Sequence, residues 1–535
     1  MGASSSSPQV PDEQREAESL AASTGALPML QKAFSAMADP ETKAIPVQTL
    51  QRCFCISLAQ PVSEAINIPP DFGKLLLHVG PSIVDLFFLA EKGGVSWTEF
   101  LRGYVKCCDR LSSSTSFTMI FRVFTLASMH TGLPERLQFE SDDADSKMSG
   151  FLKPVDALMF LWVCYVMTWN TKDTLSADGK EDLSLPDISH LVLSAVCFCT
   201  EVGGGFNLLD CDILNMDVQL PAGKLSMWAL KTAPNLPDCL TQFVHRKIQR
   251  TIGSETRMEP SPSVSVSKIG EHNNNLLTEG SAWVISLTLR GTLSEEILKA
   301  LFAGYGDGND NLLYRSSLHG KGLNRFWSNI EGYNGPMLIL IAAGLGAVQG
   351  DHGNARRWIV GALTHQPFEN RESFYGNSGC LYAIIPVFNV MPSSGKEKNF
   401  VYSHLHPTGR VYEPHPKPVG VAFGGSLGNE RIFIDEDFAK VTLRHHAHDK
   451  TYQPGFLFPD QGFLPTEALI LDVEVWGLGG RTARKMQMSY KKREELFTEQ
   501  RRKVDLKTFA SWEDSPEKMM MDMISDPNAV RREDR

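Results

Sequence analysis

Hydrophobic positions in the first half of this chain recur at helical spacing. Apolar residues fall three and four apart over 27–36, 75–89 and 155–169, the pattern of helices with one buried face. The pattern then breaks. Residues 251–278 hold Pro260, Pro262, a run of serines and Asn273-Asn274-Asn275, which read as a linker. From 279 to 480 the period becomes that of strands. Leu469, Leu471, Val473 and Val475 alternate as in a half-buried strand, and several such runs are separated by glycines. Thr292-Leu293-Ser294-Glu295 reads as a capping box. It would open a helix with Ile297, Leu298, Leu301 and Phe302 on one face. Beyond 480, Met486, Tyr490, Phe497 and Val504 can share one stripe of an amphipathic helix. Ser515 and Pro516 then start a second short helix carrying Met519, Met520, Met521 and Met523. These periods predict an α+β chain: a disordered leader over 1–25, an all-helical region over 26–250 and the linker. A β-sandwich flanked by helices follows over 279–480, then a helical tail over 481–535.

Charge sharpens this picture. The chain of 535 residues carries a formal net charge of −10, which argues against a nucleic-acid binder, because phosphate contacts need a basic surface. The tail is the exception. Between 481 and 503 Lys and Arg outnumber Glu, with Lys491, Lys492, Arg493, Arg501 and Arg502 prominent. Those cations, with Met519 and Met520, are candidate partner contacts, since a basic helix and a Met-rich surface both suit docking. The ten cysteines are too few for a disulfide scaffold and lie in apolar runs, as buried thiols of a reducing compartment do. The first 25 residues lack the apolar stretch of a signal peptide. The longest apolar run, 157–169, falls short of the roughly 20 residues a bilayer span needs.

Two short motifs bear on function. Met1-Gly2-Ala3-Ser4-Ser5-Ser6 fits the pattern for N-myristoylation of Gly2. One such chain gives only marginal, reversible membrane binding, and no polybasic patch or nearby cysteine accompanies it. The second motif is an EF-hand-like loop in which Gly93, Val95 and Glu99 take positions 6, 8 and 12. Phe88, Ala90 and Lys92 then fall at positions 1, 3 and 5. They offer no oxygen ligands, so no calcium is expected. The acidic run Asp142-Asp143-Ala144-Asp145-Ser146, counted from Asp143, puts Lys147 at position 5 and Pro154 at position 12. It reads as a solvated loop capping the helix that starts near Pro154.

Catalytic patterns are imitated rather than met. Gly344-Leu345-Gly346-Ala347-Val348-Gln349-Gly350 places its third glycine one residue late for a dinucleotide fingerprint, and a glycine-rich hairpin is expected instead. His404-Leu405-His406 with Glu413, and His445-His446-Ala447-His448, resemble part of a cupin metal site, but the Glu comes too late after the second His. A cupin-like metalloenzyme is therefore an alternative reading. No GxSxG elbow and no P-loop lysine pattern occurs. Cys380 sits alone in an apolar strand, without a neighbouring thiol to resolve an oxidised intermediate. No cofactor is expected.

Six segments in order carry a family resemblance: Leu312-Leu313-Tyr314-Arg315-Ser316-Ser317, the strand at 337–342, Trp358-Ile359-Val360-Gly361-Ala362, the strand leading to Pro386, Phe423-Gly424-Gly425, and Val473-Glu474-Val475-Trp476-Gly477. Over 279–480 the chain resembles the TLDc domain of the oxidation-resistance family. The resemblance marks Gly424, Gly425, Glu474 and Trp476 as structural motif positions. The acylation motif, EF-hand-like helices and helical tail are similar to one branch of that family. The resemblance implies a non-catalytic adaptor that binds the vacuolar proton-pumping ATPase on the cytosolic face of vacuole- or lysosome-type membranes. It also implies a link to oxidative-stress resistance or growth signalling. At Ser426-Leu427-Gly428 and over 436–465 the chain departs from the family pattern, so no partner contact is carried over there. A nuclear or nucleolar protein using Lys491-Lys492-Arg493 and Arg501-Arg502-Lys503 is a further alternative.

Overall fold

The computed structural model describes residues 11–56, 67–88, 93–109, 111–141, 147–171, 184–200, 211–253, 275–302, 311–344, 357–405, 416–459, 461–513 and 518. The helical half opens with α1 (Asp12–Ser23) and α2 (Leu27–Met37), the short strand β1 (Ile45–Pro46) and α3 (Val47–Cys53). Then come α4 (Phe72–Phe87), β2 (Gly94–Val95) and α5 (Trp97–Cys108). A second set follows: α6 (Ser113–Thr131), β3 (Leu137–Phe139), β4 (Met148–Leu152), α7 (Pro154–Asn170), α8 (Ser189–Thr200), β5 (Leu220–Pro221) and α9 (Ala222–Thr232). In each set a short antiparallel ladder ties two helix–turn–helix units together. Ile45 pairs with Val95 in the first, and Leu152 with Leu220 in the second.

The Gly93 turn has the geometry its sequence calls for. Gly93 sits at φ +81, Val95 lies in the ladder, and Glu99 forms a reciprocal capping box with Ser96. The Glu99 carboxylate accepts the Ser96 backbone N–H at 2.6 Å, so it serves the start of α5. The matching turn in the first unit has no glycine. Lys43 takes it at φ +53, and Asp39 accepts the backbone N–H groups of Glu41 and Thr42 within that loop. In the second set Gly150, at φ +92, makes the turn two residues before Leu152. The twelve-position count therefore runs from Asp145 to Asp156, not from Asp143. Asp156 closes it, but its carboxylate is held by Arg136 at 2.8 Å and by the Lys153 backbone N–H.

Residues 12–23 depart from the expected disordered leader. They form α1, which packs on α5 with Ala17 and Ala21 buried, and the Trp97 indole donates to Glu18. Next, α10 (Asp238–Gly253) lies against α2, α5 and α7 and buries Leu240, Phe243, Val244 and Ile248. The centre of the expected linker lies outside the described residues. Its end does not behave as a linker: Leu276 and Leu277 are buried, and α11 (Glu279–Ser286) is buried from Gly280 onward. In α12 (Thr292–Phe302) Thr292 is already helical, so the box begins one residue later than the cap.

The β region then runs β6 (Leu312–Arg315), α13 (Ser316–His319), α14 (Leu323–Ile330), β7 (Met337–Gly344), β8 (Arg357–Thr364), β9 (Arg371–Tyr375), β10 (Gly379–Ile385) and β11 (Asn389–Pro392). It finishes with β12 (Val401–His404), β13 (Gly420–Ser426), β14 (Asn429–Asp435), β15 (Lys440–Leu443), β16 (Thr466–Gly477) and the helix α15 (Gly480–Glu513). One antiparallel sheet runs in the order β11-β10-β8-β7-β16-β15-β14-β13-β12-β9, and β6 also pairs with β16. The sheet folds over its own core. Ile339, Ile341, Val360, Leu381, Val473 and Val475 face Val421, Phe423, Ile432, Ile434, Val441 and Leu443 across it. The opposite face of β7, β8 and β10, with Leu338, Leu340, Ile359 and Tyr382, shares a core with the helical half. Both faces of β7 and β8 are thus covered, which is why those strands read as continuous apolar runs rather than alternating ones.

Candidate functional site

Two buried ionic clusters hold the sheet region together, and each contains motif residues. The first is built on β16. Glu474, fully buried, accepts the backbone N–H groups of Leu276 (2.8 Å) and Leu277 (3.2 Å) and the indole N–H of Trp476 (2.9 Å). Arg315 lies 3.5 Å from it and 2.9 Å from Asp472. Asp472 in turn accepts the hydroxyls of Ser316 (2.6 Å) and Ser317 (2.8 Å) and the Ser317 backbone N–H. The two carboxylates differ in sign. Burial pushes Asp472 up, but hydrogen bonds from Ser316, Arg315 and Ser317 outweigh it and hold the group below the usual carboxylate range. Burial pushes Glu474 up too, and its hydrogen bonds and Arg315 only partly offset that, so it lies above its ordinary value. Glu474 and Trp476 therefore fasten the chain that enters α11 to the central strand.

The second cluster explains the glycine pair. Gly424 and Gly425 take φ +69 and +79. The Gly425 N–H donates to Asp449 at 2.9 Å, and a Cβ on Gly424 would meet the same carboxylate at 2.8 Å. Asp449 pairs with Arg431 at 3.2 Å, with neither side chain exposed. Arg431 also donates to the carbonyls of Gln453 and Gly455, both at 2.9 Å. The clamp fixes the long connection between β15 and β16. Sequence reasoning missed Arg431 and Asp449, because no local pattern links a charge on strand β14 with one in the β15–β16 connection.

The basic helix α15 has two parts. Ala483 and Gln487 are buried, and the Gln487 amide donates to the carbonyls of Asn329 (2.8 Å) and Glu331 (3.2 Å) at the end of α14. These are carbonyls that a helix end leaves without intrahelical partners. Tyr490 lies over Gly332 and donates to Glu331 at 2.9 Å. Lys491, a candidate partner contact, is half-buried and donates to the Asn329 carbonyl at 3.1 Å, and burial lowers its pKa. From Lys492 to Lys503 every side chain is exposed, including Arg493, Arg501 and Arg502. The expected apolar stripe does not pack as one. Tyr490 is half-buried, while Met486 and Phe497 are exposed. Met519 and Met520 lie outside the described residues, as does Gly2.

Residues 271–479 match the family model described as TLDc domain. Over 152 residues the chain is 26% identical to "Restriction of telomere capping protein 5" of Zygosaccharomyces rouxii. The match covers 28% of this chain and 27% of that protein, so the chain spans about a quarter of the relative's length. Proteins with a TLDc domain are generally non-catalytic regulators linked to oxidative stress.

No group of three or more His, Cys, Asp and Glu that could hold a metal occurs among the described residues. His404 is buried on β12, whereas His445 and His446 sit in the β15–β16 connection. His406 and Glu413 fall outside the description. Beyond Gly344 the glycine-rich stretch lies outside the described residues, and the next described element, β8, pairs antiparallel with β7. Burial pushes the Cys380 thiol of the TLDc domain up to about 12, which disfavours the reactive thiolate. Burial likewise raises Cys53 to about 11 and Cys108 to about 12. Among the described residues no helix is long and apolar enough to cross a membrane.

Proposed function

We propose that this chain is a non-catalytic adaptor that docks on the vacuolar proton-pumping ATPase at the cytosolic face of vacuole- or lysosome-type membranes. A myristoyl group on Gly2 acts as a weak, reversible anchor. The TLDc match over 271–479 carries the reading, and the form of α15 supports it. Its first turns are pinned to the TLDc domain by Gln487, while its second part offers Lys492, Arg493, Arg501 and Arg502 to solvent. In this reading the helical half is a metal-free descendant of paired EF-hands. The ladders Ile45–Val95 and Leu152–Leu220 and the turns at Gly93 and Gly150 favour that descent. The groove that such a pair offers to target helices is filled by the chain's own α10, whose Phe243 packs near Phe54.

Affinity capture from solubilised vacuole or lysosome membranes with the intact, tagged chain tests the reading. Pump subunits should co-purify in stoichiometric yield. Their absence from the captured set, with the chain itself folded, would sink it. Replacing Gly2 with Ala should reduce the membrane-bound fraction without affecting capture of the solubilised pump.

A further inference from the structure

A cavity lies between the helical half and the TLDc domain. Its volume is about 460 Å³, within the range of small-molecule sites, which favour such domain junctions. The first turn of α6, the end of α7 and the start of α10 wall it on one side. On the other side are α11, the turn after it and the start of α12. These walls are tied together. Asn235, just before α10, donates its backbone N–H to the Leu287 carbonyl at 3.1 Å and its side-chain amide to the Leu289 carbonyl at 2.5 Å. Gly291, at φ +61, then turns the chain into α12 and leaves Arg290 exposed beside the cavity.

The lining carries charges of both signs that are not joined. Asp238 stands on the α10 wall and Arg290 on the α12 wall. Each feels the other: packing raises the Asp238 carboxyl above its ordinary value, and the Arg290 charge partly offsets that. Yet the two form no ion pair among the described residues. Glu295, the other carboxylate of the lining, is engaged by Lys299 at 3.5 Å. Trp283 also lines the cavity; it is fully buried, and its indole N–H has no partner. Buried donors are seldom left so. The hydroxyls of Ser113 and Ser116 and the amide of Gln242 complete a polar lining. A plain anion in this cavity would meet Asp238, and a plain cation would meet Arg290. A molecule carrying both an ammonium and a carboxylate satisfies the two walls together.

We propose that this cavity binds a small zwitterion, a free amino acid, whose ammonium pairs with Asp238 and whose carboxylate pairs with Arg290. The bound molecule joins α10 to the start of α12 and so bridges the helical half and the TLDc domain. The inference goes beyond the adaptor reading above, and its test uses neither the acyl group nor the pump, so the two can fail separately.

Calorimetric titration of the full chain with each proteinogenic amino acid tests this, with acetate and methylamine as controls that carry one charge each. At least one amino acid should bind, and both controls should bind about 10-fold or more weakly than it. That amino acid should also raise the melting temperature of the unaltered chain. Asp238→Asn and Arg290→Gln should each weaken its binding about 10-fold or more. No heat from any amino acid, equal affinity for either control, or unchanged affinity in either variant would each overturn the proposal. So would strong coupling of the two substitutions in the melting of the ligand-free chain, which would make Asp238 and Arg290 a direct ion pair.

Discussion

The two sides of the TLDc domain solve opposite problems. The face of β7, β8 and β10 that looks toward the helices is sealed. Tyr382 bonds Thr288 there, Phe388 packs beside His190, and Glu474 ties down Leu276 and Leu277. The loop end, where the β13–β14 turn meets the β15–β16 connection, is clamped just as firmly from below, by Arg431 and Asp449, yet it leaves Phe456, Phe463 and Leu464 uncovered. Exposure at that end is therefore not a sign of loose packing. A buried ion pair is costly to desolvate and is weak evidence for stability as such, but once formed it holds the shape above it. The contrast teaches that the same domain uses buried charge on one side to fasten its neighbour and on the other to present a surface.

The contrast is broken most severely by removing half of the clamp. Arg431→Ala leaves Asp449 buried without its cation and should destabilise the TLDc domain by about 3–5 kcal/mol; chemical denaturation of the full chain measures this. A loss below about 1 kcal/mol would mean that the loop end is held by something else.

The β16 cluster gives a smaller effect with a definite sign in pH. Asp472 lies below its ordinary value in the folded chain, so its contribution is present above the unfolded carboxyl pKa, about 3.9. It is lost as pH falls through the depressed folded value. Glu474 lies above its ordinary value, so its contribution is present below the unfolded pKa, about 4.3, and is lost as pH rises through the raised value. Asp472→Asn should cost about 2 kcal/mol at neutral pH and flatten the acid limb of the stability curve. Glu474→Gln should instead flatten the decline that Glu474 contributes above about pH 4.3. Identical pH profiles for the two variants would contradict the opposite assignments.

Weaker still is the hold on α15. Gln487→Ala should cost about 1 kcal/mol and show mainly as faster amide exchange over 483–491, with the sheet unaffected. The smallest effect belongs to the uncovered loop. Phe463→Ser/Leu464→Ser should change stability by no more than about 0.5 kcal/mol. A larger loss in denaturant would show that those side chains serve the core and would erase the distinction between the two sides.

Much of the scaffold was legible in the chain, and its gaps have physical causes. Apolar spacing located α2, α4 and α7 because each buries one side or more against neighbours. The change of period located the strands, and the continuous apolar runs of β7 and β8 follow from burial on both faces. Glu474, Trp476, Gly424 and Gly425 were visible as motif positions, but not what they hold. Their partners Leu276, Leu277, Asp449 and Arg431 are distant in sequence and carry no periodic signal. The first turn of the helical half escaped notice because Lys43 occupies a conformation usually given to glycine. An acidic, serine-rich leader concealed α1, whose buried side is only Ala17 and Ala21. On α15 an apolar stripe suggested packing along the helix. The anchor turned out to be polar, with Gln487 and Lys491 on the carbonyls that α14 leaves free.

That division of α15 sets the most direct test of the adaptor account. A cut before the anchor would remove packed residues, whereas a cut after Lys491 keeps Ala483 and Gln487 and removes the exposed residues 492–503 with the chain beyond them. The affinity of the full chain for the purified pump should be compared with that of the chain ending at Lys491, at low and high salt. Both forms should melt alike. The account predicts that the shortened chain binds about 10-fold or more weakly at low salt and that the difference narrows as salt rises. Equal affinity of the two forms, or no affinity of the full chain for the pump, would contradict it.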